Sequence, residues 1–356
     1  MGLPFINDNG YEKICAFASL YQAHRKARLC KRHKTDVIIF EMDLAANLWD
    51  LKKRLEDKTY RVGNYKRFMI YDPKEREIQA LCYGDRVVQH SLCDNVLTPF
   101  FENRLIYDNC ACRTGKGVHF GIRRLEKFLR EHYRAHGTEG WILKADIRKY
   151  FPSVNHEVLL ERLRKTITSP DILALLEMII HSYNADVGKG LPMGNQTSQI
   201  FALYYLDPVD RLIKEKLKIK RYSRYMDDMV LLHPDKAYLR KCLRQMRELC
   251  ENVLKVELNE KTQIFPLRHG VDYLGWHFYL TKTGKVVKKL RTQSKKRLKR
   301  RMKGLRKGYA EGRLTLEDVQ RSVASAHGHL IHGHTWRLRE KVYREIAFSK
   351  KLEAES

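Results

Sequence analysis

The chain has 356 residues, a length that allows two or three domains or subdomains with substantial cores. Hydrophobic residues make up 43% and charged residues 31%, which is typical of a globular protein and excludes general disorder. Lys and Arg number 69 against 42 Asp and Glu, so the formal net charge is +27. In a compact fold these positive charges would repel one another, so the excess favours a polyanionic partner. Nucleic acid is the first candidate and an acidic membrane the second. We expect no membrane partner, since no long apolar span or amphipathic anchor is evident.

The N-terminal residues lack a basic region followed by an apolar core, so the sequence predicts a cytoplasmic protein. The eight cysteines have no C-x-x-C spacing, which favours reduced, structural thiols. Cys110, Cys112 and His119 could be taken as metal ligands, but we favour the structural interpretation.

The N-terminal third predicts helices followed by a hairpin. Apolar residues recur at helical spacing over residues 11–57, and β-rich runs follow at 65–71 and 77–81. The turn between these runs carries Lys74 and Arg76. Such a basic turn is more often simply solvated, but it could also clamp phosphate.

The next stretch alternates helices with a glycine-containing loop. Residues 85–101 and 121–136 predict helices, and the segment 110–117 places two glycines beside Arg and Lys. Glycines allow backbone amides to approach phosphate, but the spacing is not that of a P-loop.

Two adjacent acids interrupt the apolar run 224–232. The pattern predicts strand, turn and strand, with Asp227 and Asp228 near the tip. Buried neighbouring carboxylates resist ionising unless a cation neutralises them, so a divalent metal explains the pair. An exposed turn is the alternative, because Asp is a common turn residue.

A third acid, Asp146, stands in the apolar strand predicted over residues 141–151. Three carboxylates from separate segments match the way in which two Mg²⁺ ions are commonly held, so Asp146 joins Asp227 and Asp228 as a candidate ligand. The residues after this strand, 155–166, predict a helix.

A glycine-rich loop at residues 188–199 opens a helix predicted over 198–217. Small and polar residues at a helix start suit close contact with a nucleotide or base pair. Capping and turn chemistry explain the loop equally well.

The C-terminal part becomes strongly basic. A helix at 236–254, a strand-like edge at 256–264 and a β segment at 273–278 precede residues 282–307, which hold fourteen Lys or Arg. A helical apolar stripe predicts that 282–307 is one folded helix whose cationic side contacts a phosphate backbone. One or two helices are expected over 314–347.

Four histidines lie close together in this last segment, at positions 327, 329, 332 and 334. No acid or Cys accompanies them, so packing and RNA contact are favoured over metal binding.

Taken in order, these motifs resemble the palm of a reverse transcriptase over about residues 60–335. The resemblance lies in five segments: Asp146 with Phe151 (motif A), Gly194 to Gln199 (motif B), Tyr225 to Asp228 (the Y-x-D-D of motif C), Leu258 to Thr262 (motif D) and Tyr273 to Trp276 (motif E). The ordered set is highly specific, whereas any one motif would be weak. The closest resemblance is to bacterial retroelement enzymes, so a bacterial or phage-encoded protein is expected.

The resemblance implies an α+β, right-hand polymerase fold with fingers, a palm of antiparallel sheet plus helices, and a helical basic thumb. The implied boundaries are 1–145 for the N-terminal extension and fingers with the start of the palm, 146–280 for the palm with part of the fingers around 152–190, and 281–356 for the thumb and C-terminal tail.

The resemblance also implies the site. Asp146, Asp227, Asp228 and the main-chain carbonyl of Ile147 would bind two Mg²⁺ ions, for which Mn²⁺ can substitute, and Lys261 would protonate pyrophosphate. The implied nucleotide-binding residues are Lys74, Arg76, Phe151, Met193, Gly194 and Asn195, with Phe151 selecting deoxynucleotides. The implied nucleic-acid-binding residues are Gln199, Tyr225, Leu274, Gly275, Trp276, Lys289, Lys296 and Arg300.

Motif B resembles that of diversity-generating retroelements, because Met193 replaces the usual Gln and Gly194-Asn195 is followed by Ser198-Gln199. This likeness implies error-prone copying of template RNA at adenines, with an RNA/DNA duplex, dNTPs and a small basic accessory protein oligomer as partners. Met193 also replaces the more usual Ile or Val, and motif D is compressed. A defence-associated or uncharacterised bacterial reverse transcriptase therefore stays open, as does a non-catalytic RNA-binding palm protein.

Overall fold

The computed structural model describes residues 9–71 and 75–344. Helices and antiparallel sheets are both present, consistent with the expected α+β class. The predicted phosphate-binding residue Lys74 lies outside the described residues.

Helices form most of the described chain. Their bounds are α1 Asn9–Cys15, α2 Phe17–Ala27, α3 Thr35–Met42, α4 Leu44–Glu56, α5 Tyr83–Leu92, α6 Thr98–Glu102, α7 Val118–His136, α8 Tyr150–Ser153, α9 His156–Arg164, α10 Pro170–His181, α11 Gln196–Tyr205, α12 Asp207–Arg211, α13 Lys236–Glu248, α14 Thr292–Ala310, α15 Leu316–Leu330 and α16 Trp336–Arg344. Short π-helical segments follow α5, α12 and α13.

The strands form three sheets. Their bounds are β1 Lys66–Ile70, β2 Arg76–Ala80, β3 Trp141–Ala145, β4 Tyr222–Tyr225, β5 Asp228–His233, β6 Gln263–Pro266, β7 Val271–Tyr273, β8 Trp276–Leu280 and β9 Val286–Leu290. β1 and β2 pair antiparallel, as predicted, with Ile70 opposite Arg76. A four-stranded sheet has the order β4-β5-β3-β6, and a three-stranded antiparallel sheet has the order β7-β8-β9.

The chain divides into two compact units, and the three-domain division stays a prediction. Unit 1 comprises Met1–Gly117, Lys144–Val230 and Arg240–Gln263, and unit 2 comprises Val118–Leu143, Leu231–Leu239 and Ile264–Ser356.

Helices α2, α4 and α5 pack together at the N-terminal end of unit 1. Apolar residues at helical spacing, such as Leu20 and Leu48, are fully buried there. Polar groups are satisfied locally, since the Ser91 hydroxyl donates to the Ile14 carbonyl oxygen at 2.8 Å. The predicted helical N-terminal region is confirmed.

Unit 2 combines the β7-β8-β9 sheet with α7 and the last three helices. Met302, Ala326 and Val342 form a small buried core among α14, α15 and α16. The Lys288 ammonium of β9 lies 2.8 Å from the Glu126 carboxylate of α7, and both side chains are largely buried.

Two predictions about the C-terminal half were wrong in their bounds. The basic helix expected at 282–307 begins only at Thr292, because residues 286–290 form β9. Val286, Lys288 and Leu290 are buried in alternation, a period of two that the abundance of lysine obscured. The strand-like edge expected at 256–264 is reduced to one bridge at Leu258, and β6 starts at Gln263.

Among the described residues, none of the helices combines the length and apolarity needed to cross a bilayer.

Candidate active site

The predicted acidic hairpin is present and its turn is tight. β4 ends at Tyr225, the turn consists of Met226 and Asp227, and β5 begins at Asp228. Met226 has a φ of +55°, in the left-handed region that side chains other than Gly adopt rarely. Such a conformation persists only where surrounding contacts impose it.

The buried side chain of Arg224 supplies these contacts. Its guanidinium donates to the Met226 carbonyl oxygen at 2.9 Å and to the Leu203 carbonyl oxygen of α11 at 3.0 Å. It also forms two bonds with Asp210 of α12, at 2.8 and 2.6 Å. The turn is thereby fixed to two helices.

Arg224 and Asp210 are both fully buried, with 0% exposure. Burial alone would lower the pKa of Arg224, but the facing Asp210 carboxylate raises it above its usual value. Tyr222 donates a further hydrogen bond to Asp210 at 2.6 Å. Every group in this cluster has a partner of opposite character, which a buried ion pair requires for stability.

Asp146 follows β3 directly and is held by the motif D segment. Its backbone carbonyl oxygen accepts from the Asn259 amide at 2.7 Å, and the Asn259 side-chain amide lies 3.4 Å from Asp146 Oδ2. The adjoining antiparallel bridge pairs Ile147 with Leu258. Its flanking hydrogen bonds use the Asp146 carbonyl and the Arg148 amide, so they do not engage the Ile147 carbonyl.

The structure brings Asp146 and Asp227 together. The Asp146 carboxyl lies close enough to disfavour the ionised form of Asp227. Burial, followed by the neighbouring Asp146 carboxyl, raises the pKa of Asp227 to about 7. Asp228 adds a smaller repulsion in the same direction. Oxygen donors placed this closely suit Mg²⁺, which would replace the proton.

Asp228 lies close enough to influence Asp227, but its carboxylate faces a cation. The Lys144 ammonium lies 3.2 Å from Asp228 Oδ1 and 3.3 Å from Oδ2. Within the described parts of the chain, no three His, Cys, Asp or Glu side chains form a group suited to hold a metal ion. The structure therefore pairs two of the predicted ligands and places the third in an ion pair.

The predicted motif B loop lies against the β1–β2 hairpin. Gly194 has a φ of +114°, and a Cβ there would meet Ile78 Cγ2 at 3.4 Å. Asn195 is buried. Thr197 donates to the Gln89 side chain of α5 at 2.9 Å, which fixes the start of α11. Met193 and Gln199 flank this segment and are half-buried.

The other predicted residues of unit 1 have varied exposure. Phe151 is half-buried in α8, and its ring packs edge-on to Tyr150. Arg76 begins β2 and is exposed. Lys261 is exposed, and its backbone amide donates to the Asn259 side chain at 3.0 Å. Tyr225 packs on a buried cluster that includes Leu203.

The predicted residues of unit 2 separate into buried and exposed groups. Leu274 and Gly275 form a left-handed turn between β7 and β8. Trp276 is fully buried, so its indole serves packing and leaves only the preceding turn available for contact. Lys289, Lys296 and Arg300 are exposed. The last two line a groove of about 890 Å³ with three further cations of α14, Lys299, Lys303 and Arg306.

The four C-terminal histidines take part in packing, as predicted. The ring of His329 lies 5.1 Å from that of Trp276, and His332 lies 4.2 Å from His119. His334 accepts a hydrogen bond from the Lys288 amide, and His327 is bonded to Tyr343. Their contact with RNA stays a prediction.

Sequence reasoning did not assign a role to several residues that organise the site, among them Lys144, Arg224 and Asp210; Asn259 lies within the motif D segment but was not named individually. The spacing of Lys144 and Asp146, two residues apart on one strand, places them on the same face and was a usable signal. Asp210 gave no such signal in the sequence, because an acidic residue in a helix is usually exposed to solvent.

The family described as reverse transcriptase (RNA-dependent DNA polymerase) matches residues 72–278. The chain belongs to this family. It is also similar to Protein YkfC of Escherichia coli (strain K12), with 25% identity over 275 residues that cover 65% of this chain and 71% of that protein. Family membership supports RNA-directed DNA polymerase activity, with a nucleic-acid template and nucleotide substrates.

The buried ion pair yields a stability prediction. Asp210→Asn leaves the Arg224 guanidinium buried without its carboxylate, which should cost about 3–5 kcal/mol of unfolding free energy. Arg164→Ala is the control, because its ion pair with Glu177 is exposed and should be worth less than about 1 kcal/mol. Urea unfolding measures both. Equal, small losses would show that the Arg224 cluster does not brace the hairpin.

The pKa of Asp227 yields a pH prediction for the metal-free protein. The folded state holds this proton more tightly than the unfolded chain, so its contribution to stability is full below pH 4 and is lost as pH rises through about 7. The loss should approach about 1 kcal/mol per pH unit. Mg²⁺ should therefore raise Tm more at pH 8 than at pH 6.

Asp227→Asn is the matched variant, since its amide cannot titrate. Its Tm should depend less on pH between 4 and 7, and Mg²⁺ should stabilise it less. Superimposable wild-type and variant profiles would contradict the assignment.

Proposed function

We propose that this chain copies an RNA template into cDNA at a site formed by Asp146, Asp227 and Asp228. The observation that carries the proposal is the proximity of the half-buried Asp146 and Asp227 side chains, with the Arg224 cluster fixing the turn on one side and Asn259 holding Asp146 on the other. A carboxyl pair maintained by this much structure, within the matched family segment, is suited to metal binding rather than to stability.

Asp146, Asp227 and the carbonyl of Ile147 would hold Mg²⁺, or Mn²⁺ in its place, with Asp228 as the further ligand. When bound, two such ions supply the positive charge that lowers the pKa of the primer 3′-hydroxyl and neutralises the triphosphate during in-line displacement. The Arg224 cluster keeps the hairpin turn in one geometry, which limits the rearrangement needed for each addition.

The remaining predicted residues surround this centre in the proposal. Lys74 and Arg76 of the finger hairpin would contact the triphosphate, and Phe151 would exclude a ribose 2′-hydroxyl. Lys261 would donate a proton to the departing pyrophosphate. The exposed cations of α14, including Lys296 and Arg300, would lie along the backbone of the RNA/DNA duplex.

Within the family, we assign the chain to the diversity-generating class on the residues of motif B. Met193 offers no hydrogen-bonding group where most reverse transcriptases carry Gln, so it cannot help to fix the template and nucleotide positions. Gly194 allows this loop to approach β2 closely. The expected products are cDNAs with substitutions at template adenines, made with a small basic accessory protein oligomer.

The catalytic assignment predicts the effect of one conservative change. Asp227→Asn should reduce primer extension on RNA by at least about 10³-fold, because it removes a ligand charge at the reacting centre. Binding of the primer–template should change little. Asp171→Asn, at an exposed ion pair with Lys58, is the control and should retain activity. Full cDNA synthesis by Asp227→Asn would instead favour an RNA-binding protein without catalysis.

The class assignment predicts an error spectrum. Met193→Gln should lower adenine-directed misincorporation severalfold, because the amide can hydrogen-bond near the nascent pair. Sequencing of cDNA from a defined RNA template measures it, with Met193→Leu as an apolar control. An unchanged spectrum, or wild-type products that are homopolymers or concatemers, would favour a defence-associated enzyme.

A further inference from the structure

Lys144 is a charged residue of the site that the proposed reaction does not use. It belongs to β3, and Asp146 follows the end of that strand. β5 is the neighbouring strand, and it begins with Asp228. The sheet order therefore places the Lys144 ammonium beside Asp228.

The contact with Asp228 is nearly symmetrical. Lys144 Nζ lies 3.2 Å from one carboxylate oxygen and 3.3 Å from the other. The two side chains are 25% and 29% exposed, whereas the surface pair Lys165–Glu161 is 68% and 65% exposed. Shelter from water strengthens the attraction, so this pair should hold the carboxylate more firmly than a surface pair would.

The carboxylates of the proposed site have different neighbours. Asp228 faces a fixed positive charge of the protein itself, whereas Asp146 Oδ2 accepts a hydrogen bond from the neutral side-chain amide of Asn259. A divalent cation that binds Asp228 must therefore compete with an ammonium group for the same carboxylate.

We propose that Lys144 is a positioning residue that occupies Asp228 in the metal-free enzyme and weakens the binding of divalent cation through that carboxylate. The proposal rests on the function proposed above. Asp146 and Asp227 would then bind the cation more tightly than Asp228 does. Asp228 would become available as a ligand only when its ion pair with Lys144 breaks. Lys144 also keeps Asp228 from adding full repulsion to the other two acids while no cation is bound.

Mn²⁺ titration of the full chain without nucleic acid tests this directly. Lys144→Met removes the ammonium and keeps most of the side-chain volume. It should tighten Mn²⁺ binding about fivefold by calorimetry, the size expected for a partly exposed ion pair. Lys144→Arg should bind like the wild type because it retains the charge. Lys165→Met, which removes a lysine from a surface pair, is the charge-matched control and should also be unchanged.

A double variant separates action through Asp228 from a general change in charge. In the Asp228→Asn background, Lys144→Met should have no further effect on Mn²⁺ affinity, because the competing carboxylate is absent. Equal tightening with and without Asp228 would overturn the proposal. Unchanged or weaker Mn²⁺ binding by folded Lys144→Met would overturn it as well.

Folding and function are checked separately. Thermal melting establishes that each variant is folded, and Lys144→Gln replaces Lys144→Met if the latter does not fold. Lys144→Met should also reach half-maximal primer extension at about fivefold lower Mg²⁺ concentration. If Asp227→Asn is inactive while Lys144→Met leaves Mn²⁺ affinity unchanged, only the Lys144 assignment fails. If Asp227→Asn remains fully active, the proposed function fails.

Discussion

The buried ion pair between Arg224 and Asp210 is the constraint on which the candidate site depends. A guanidinium without access to water is stable only if each of its donors has a partner, and here the partners belong to the hairpin turn, α11 and α12. Removal of any one partner would leave the buried charge incompletely compensated and would destabilise the fold. The unusual left-handed backbone of Met226 is therefore held by a strong buried network, and with it the position of Asp227.

This rigidity gives the acid cluster its chemical character. Burial and the neighbouring Asp146 carboxyl raise the pKa of Asp227 to about 7. The third acid is turned toward the Lys144 ammonium. In the proposed function, a divalent cation would relieve the repulsion among these acids. Membership of the reverse transcriptase family agrees with a site of this kind.

Local patterns in the sequence were enough for much of the fold. Periodicity and turn or cap chemistry predict several elements correctly. These are the acidic hairpin, the strand before Asp146, the β1–β2 hairpin and the helix that Asn155 caps. The start of the basic helix was wrong by ten residues, because Lys288 and Lys289 of β9 make that strand resemble the lysine-rich helix that follows. Composition alone cannot separate the two; only the burial alternation of Val286 and Leu290 does.

The site was predictable only in part. An acid within an apolar strand signals function, so Asp146, Asp227 and Asp228 could be named as candidates from the chain. Asp210 and Asn259 could not, since their roles depend on contacts between segments distant in sequence. Pairing of that kind is a property of tertiary structure, and a single sequence carries no signal of it.

Anomalous diffraction from crystals grown with Mn²⁺ tests the central claim most directly. The account predicts a Mn²⁺ peak in contact with the carboxylates of both Asp146 and Asp227. Mn²⁺ bound elsewhere, without contact to either carboxylate, would contradict it.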